Sequence, residues 1–176
     1  NNNIIKSLFL FLKVYYEALC YDSINFFTRH LQPSMETSEL LKHTDLKLIP
    51  YGKVWKSNNS VTGGIMLMCQ HGQKECELNA LHACILENNK INDAFNVIAC
   101  LMRGTGVDVQ VAKQCTQNRT IVDILDKYGK ETDKINIQFV PSIKYNYDEQ
   151  YYIRNNFKNT FCEQFKNKFN YRPLNC

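Results

Sequence analysis

The chain has 176 residues, 44% of them hydrophobic, which is enough for one compact core and too little for two full domains. Its 21 basic and 17 acidic residues are spread along the sequence for a net charge of +4, with no block of like charge and no Lys/Arg run interleaved with aromatics, so nucleic acid is not expected as a partner. No apolar run reaches the length of a membrane span, whereas eight cysteines point to an oxidising compartment.

The run Ser7 to Leu12 is too short for a signal-peptide core, Lys13 interrupts it, and no small-residue cleavage site follows. The chain starts at Asn1 rather than Met, so an upstream targeting segment is expected to have been removed. Leu8 to Glu17, rich in Phe, Leu, Val and Tyr, reads as a buried central strand. Beyond Cys20 the apolar period changes to that of a helix, with Ile24, Phe27 and Leu31 on one face, Asp22 or Ser23 at its first positions, and Pro33 ending or kinking it. Asp45 to Pro50 alternates and reads as a second strand, parallel to the first. A polar loop follows over Tyr51 to Gly64, then a short extended piece from Ile65 to Cys69.

Helical patterns then run from Glu75 to Asn89, Asn92 to Met102 and Val107 to Gly129. Strand character returns at Ile135 to Val140 and at Ile143 to Tyr147, and a last helix is expected from about Asp148 to Asn170, with Tyr152, Phe157, Phe161, Phe165 and Phe169 as its apolar stripe. The order is βαβ, helices, ββα. It predicts an α/β chain of thioredoxin-like fold, a single domain over 1–176 carrying an inserted helical, disulfide-containing subdomain at about 65–130.

Two sequons, at Asn58 and Asn118, are candidate glycosylation sites and agree with a secreted or endolysosomal location. Cys69, Cys76, Cys84, Cys100, Cys115, Cys162 and Cys176 are disulfide candidates, with Cys162–Cys176 and Cys69 with a near neighbour as plausible pairs. Parity matters for Cys20: if it is free, one of the other seven is free or pairs between chains; if all eight pair, it is no nucleophile. A zinc site drawn from Cys69, His71, Cys76, His82 or Cys84 competes with these disulfides and is disfavoured in an oxidising compartment, so neither metal nor cofactor is expected.

Three segments carry a family resemblance. They are Tyr15-Tyr16-Glu17-Ala18-Leu19-Cys20, the run Cys69-Gln70-His71-Gly72-Gln73-Lys74-Glu75-Cys76-Glu77-Leu78-Asn79, and Phe139-Val140-Pro141. The chain resembles the gamma-interferon-inducible lysosomal thiol reductase family. The middle segment fits that family's signature CQHGxxECxxN through Cys69, Gln70, His71, Gly72, Glu75, Cys76 and Asn79, and spacing and order agree from about residue 8 onward. The resemblance implies a soluble lysosomal or secreted protein that reduces disulfides in protein substrates under acidic conditions. It also implies that Pro141 is a cis-proline beside the reactive site.

A dithiol reductase needs two sulfurs, one to attack the substrate disulfide and a second to resolve the mixed disulfide. Here the motif is Cys20-Tyr21-Asp22-Ser23, so Ser23 stands where the resolving thiol would be, and Asp22 sets a like charge beside any thiolate at Cys20. Oxygen cannot form the internal disulfide. The expectation is therefore a lumenal protein that has lost dithiol reduction and acts by binding other molecules. The alternative is monothiol reduction through Cys20 with an external resolving thiol. Glu17, three residues before Cys20, is a candidate for proton transfer or a merely hydrogen-bonded or solvated strand-end carboxylate.

Overall fold

A computed structural model describes residues 9–35, 38–61, 63–106, 109–146, 156–173 and 176. Strand β1 (Leu10–Tyr16) is the middle of a three-stranded sheet, flanked by β2 (Thr44–Pro50) in parallel and β5 (Ser142–Tyr145) in antiparallel pairing. Val14, for example, lies between Leu48 and Ile143. Leu10, Leu12, Val14 and Tyr16 fall on one face by the two-residue period and are all buried. On the other face Lys13 forms an ion pair with Glu131 while its ammonium lies over the Phe11 ring, which lets a charged residue sit half-buried in a central strand.

Between β1 and β2, α1 (Tyr21–Phe26) continues through a π turn (Phe27–Leu31) into α2 (Gln32–Met35), followed by α3 (Ser38–Lys42). Pro33 therefore does not end the helix. The widened turn comes just ahead of it, where the proline ring would crowd the carbonyls of a regular α-helical turn. Phe27 packs on Tyr16 with ring centroids 4.6 Å apart, and Phe26 meets Phe157 edge-on at 5.0 Å. Each such fully buried ring contributes roughly 1.5–3 kcal/mol.

A second, two-stranded sheet pairs β3 (Trp55–Asn58) with β4 (Ile65–Met68). The sequence expectation of a plain loop over Tyr51 to Gly64 is thus corrected. Trp55–Asn58 shows no burial alternation because both faces of this ribbon are largely exposed, and pairing rather than packing defines it. Four helices follow: α4 (Gln73–Asn88), α5 (Ile91–Met102), α6 (Gln110–Asn118) and α7 (Ile121–Thr132). The single helical run expected over Val107 to Gly129 is broken at Thr120, whose side chain caps α7 by accepting from the Asp123 N–H at 3.1 Å.

The strand expected at Ile135 to Val140 is also corrected. That stretch is irregular, with Ile135 and Ile137 half-buried against the core but outside the sheet. Both edges of β1 are already taken by β2 and β5, so no ladder position next to it remains. Helix α8 (Phe157–Phe169) places Phe157, Phe161 and Phe165 in the core; Leu8, Tyr152 and the expected helix start at Asp148 lie outside the described residues. The architecture is mixed α/β, with a small sheet covered by helices. No helix among the described residues is long and apolar enough to cross a membrane.

Candidate functional site

Cys20 closes the turn after β1 and is the N-cap residue of α1, its backbone extended and its carbonyl accepting from the Ile24 N–H at 2.9 Å. It is unpaired and 8% exposed. Its Sγ lies 3.9 Å from the carbonyl oxygen of Val140, and the Val140–Pro141 peptide bond is cis. Tyr21, 75% exposed, and the exposed Phe139 belong to the two segments that bring Cys20 and Val140 together. Ser23 is wholly buried, and its Oγ accepts from the Glu17 N–H at 3.4 Å. The alcohol three residues after Cys20 is thus part of the turn's own hydrogen bonding.

The signature segment sits directly behind this turn. Asn79 on α4 accepts from the Ala18 N–H at 2.9 Å, and Glu75 Oε2 accepts from the Leu19 N–H at 3.3 Å. Two backbone donors that would otherwise be orphaned between β1 and α1 are satisfied by one helix face, since positions 75 and 79 are one turn apart. Gly72, with φ of +85°, makes the sharp entry into α4, and Gln70 is exposed in the turn before it. His71 donates its backbone N–H to Glu75 Oε1 at 3.1 Å, and its Nδ1 lies 2.6 Å from Glu75 Oε2.

Glu17 is not a solvated strand-end carboxylate. It is wholly buried, with Oε1 accepting from the Lys53 N–H at 2.7 Å and Oε2 facing His71 Nδ1 at 3.5 Å. Burial pushes its carboxyl up to about 7, helped by the neighbouring Glu75 charge and opposed by the Lys53 N–H and by His71 and Lys53. Gly52 makes this packing possible: it has φ of +61°, and a Cβ there would stand 2.1 Å from Glu17 Cγ. Deeper in, Tyr16 Oη and His82 Nδ1 are 3.2 Å apart, and burial lowers the imidazole to about 3, so His82 is neutral.

Six cysteines form three bridges, Cys69–Cys76, Cys84–Cys115 and Cys162–Cys176. Cys100, counted among the disulfide candidates, is unpaired, and it is the odd partner that parity requires once Cys20 is free. The sulfurs of Cys69, Cys76 and Cys84 are all consumed, so the zinc set drawn from them with His71 and His82 does not exist. Asn58, on β3, and Asn118, at the end of α6, are exposed. Sequence reasoning missed Gly52 and Lys53, which touch Glu17 only through the tertiary fold; the positive φ at a Gly-Lys turn after β2 is the one local signal.

A disulfide-stapled α/β chain with a lone thiol capping a helix beside a cis-proline defines a narrow class, and similarity to known proteins agrees with it. The model of the gamma interferon inducible lysosomal thiol reductase family matches residues 11–119, and this chain belongs to that family. It is 41% identical to GILT-like protein 2 of Drosophila melanogaster over 182 residues, covering 95% of this chain and 86% of that protein. Over 91 residues it is 36% identical to the mouse gamma-interferon-inducible lysosomal thiol reductase, covering 51% of this chain and 35% of the mouse protein. A gamma-interferon-inducible lysosomal thiol reductase-like protein of Anopheles gambiae is 27% identical over 78% of this chain.

Proposed function

We propose that this chain is a lumenal member of the family that has lost dithiol reduction and works by engaging disulfide-bearing proteins at the face formed by Cys20 and Pro141. The single observation behind this reading is that Cys20 is unpaired while the group three residues on is the buried hydroxyl of Ser23. Cys20 as thiolate attacks one sulfur of a protein disulfide; the other sulfur leaves and takes up a proton, and the two chains remain joined as a mixed disulfide. With no sulfur at residue 23, release falls to an external small thiol. That thiol displaces the reduced protein and stays on Cys20, and a second equivalent frees Cys20 and departs as its own disulfide.

On this reading the β1–α1–β2 unit, β5 and α8 form a thioredoxin-like frame, and the stretch at about 65–130 is an insertion whose signature helix braces the Cys20 turn. The three disulfides fit an oxidising compartment. The exposed sequons at Asn58 and Asn118 and the lysosomal name borne by the mouse relative support a secreted or endolysosomal location with glycans at those two residues. The partner is a protein.

The test is insulin reduction with and without glutathione, alongside native alkylation mapped by mass spectrometry. Expected are labelling at Cys20, background turnover without glutathione, glutathione-dependent turnover that Cys20→Ala abolishes, and glutathione-independent turnover in Ser23→Cys. Absence of both labelling and Cys20-dependent turnover leaves pure non-covalent binding. Turnover by the unaltered chain without any added thiol relay overturns the proposal.

A further inference from the structure

We propose that Glu17, His71 and Glu75 form a site for one divalent transition-metal cation of the Zn2+ type, which ties the turn before Cys20 to the start of α4. The three offer ligand atoms that all lie within 4.8 Å of one another. Each carboxylate is already oriented by backbone. Glu17 Oε1 is held by the Lys53 N–H, Glu75 Oε1 by the His71 N–H, and the second oxygen of each is directed at the same imidazole nitrogen. That is the arrangement by which outer-shell hydrogen bonds fix metal ligands.

The independent observation is Glu17 Oε2. It is buried and has no hydrogen-bond partner, although it belongs to a side chain only 1% exposed and aimed into the cluster. A buried carboxylate oxygen left without a partner is costly, and a cation removes that cost. Two buried carboxylates face a single imidazole nitrogen, so the cluster offers one nitrogen and two oxygen donors to a cation.

Dimensions agree. For Zn2+ with bonds of about 2.0–2.2 Å to nitrogen and oxygen, tetrahedral ligands stand roughly 3.4 Å apart. His71 Nδ1 to Glu17 Oε2 is 3.5 Å, and the 2.6 Å contact to Glu75 Oε2 must open by less than an ångström. His71, with a side chain 37% exposed, is the member able to shift, and the same opening leaves the remaining coordination position to water. One imidazole with two carboxylates suits a borderline cation rather than Ca2+ or Mg2+. The site does not depend on whether Cys20 reacts.

The experiment uses the full chain with both free thiols removed, as Cys20→Ala/Cys100→Ala, titrated with Co2+ at neutral pH and then with Zn2+. The expected result is one Co2+ per chain with weak visible ligand-field bands, no sulfur-to-cobalt charge-transfer band, and displacement by Zn2+. Added to that background, Glu17→Gln and His71→Ala each weaken uptake by more than the roughly 10–100-fold that loss of an outer-shell partner costs. His71→Ala alters a part-exposed side chain and keeps the test alive if Glu17→Gln does not fold. No uptake up to millimolar Co2+, or uptake unchanged by His71→Ala, overturns the proposal.

Discussion

Acidification should remove the stability that rests on a neutral His82, while the raised carboxyl of Glu17 acts in the opposite sense, so the His82 contribution is read as a difference between two proteins. The imidazole is buried against Tyr16 and its affinity for a proton drops from the ordinary value of 6.5 to about 3. Between these two values the unfolded chain binds a proton that the folded chain refuses, so stability falls as pH falls through that window and is unaffected above it. One pH unit corresponds to about 1.4 kcal/mol, and a drop from neutrality to pH ~4.5 therefore removes on the order of 3 kcal/mol of the His82 contribution. Such a loss is a large fraction of the ~5–15 kcal/mol that holds a typical domain. The assay is urea unfolding with the disulfides intact, followed by circular dichroism, for the parent and for His82→Gln at a series of pH values. The variant is expected to be less stable at neutral pH, since packing and the Tyr16 contact are disturbed. Its deficit should shrink by on the order of 3 kcal/mol on going to pH ~4.5, because glutamine has no proton to refuse. Other titrating groups act on both proteins and cancel in the difference. Parallel curves, with a deficit independent of pH, refute the reasoning.

Three further outcomes follow from contacts around the site. Asn79→Ala leaves the Ala18 N–H without its acceptor and should cost about 1–3 kcal/mol, with faster hydrogen exchange at Ala18 while the amides of β2 stay protected. Gly52→Ala forces a left-handed backbone on an L-residue and drives a Cβ into Glu17, so at least about 1–2 kcal/mol should be lost in chemical denaturation; an unchanged midpoint would contradict the packing of Glu17. Removing the Cys84–Cys115 bridge by a double alanine substitution opens a link across 31 residues and should lower stability by about 2–4 kcal/mol, measured by urea midpoint under non-reducing conditions.

The sheet centre was legible because burial on both sides writes itself into composition: Leu10, Leu12, Val14 and their partners Leu46 and Leu48 leave few other readings. Trp55–Asn58 was not, because a ribbon exposed on both faces imposes no alternation, and only the later Ile65–Met68 run supplies its partner. Ile135 and Ile137 imitate a strand, yet they are half-buried against the core without joining the sheet, and no local window tells packing from pairing. The two helices merged across residue 120 could have been separated by the Thr120-x-x-Asp123 capping pattern. Around Cys20 the run Cys69–Asn79 stands out as a motif, but what Glu75 and Asn79 hold is invisible in one dimension: residues 56 and 61 positions apart must first be folded together. The burial of Glu17 depends in the same way on Gly52, whose missing side chain is the space the carboxylate occupies.

Helix α4 has one further bearing on how such a protein can work. The face that grips Ala18 and Leu19 lies on a rod riveted at two places, through Cys76 to the loop ahead of it and through Cys84 to α6. The turn that carries Cys20 is therefore held steady by cystines elsewhere in the same chain. Reduction of those two bridges would loosen the helix face that holds Ala18 and Leu19, so the geometry around Cys20 is tied to the oxidised state of cysteines far from it in sequence.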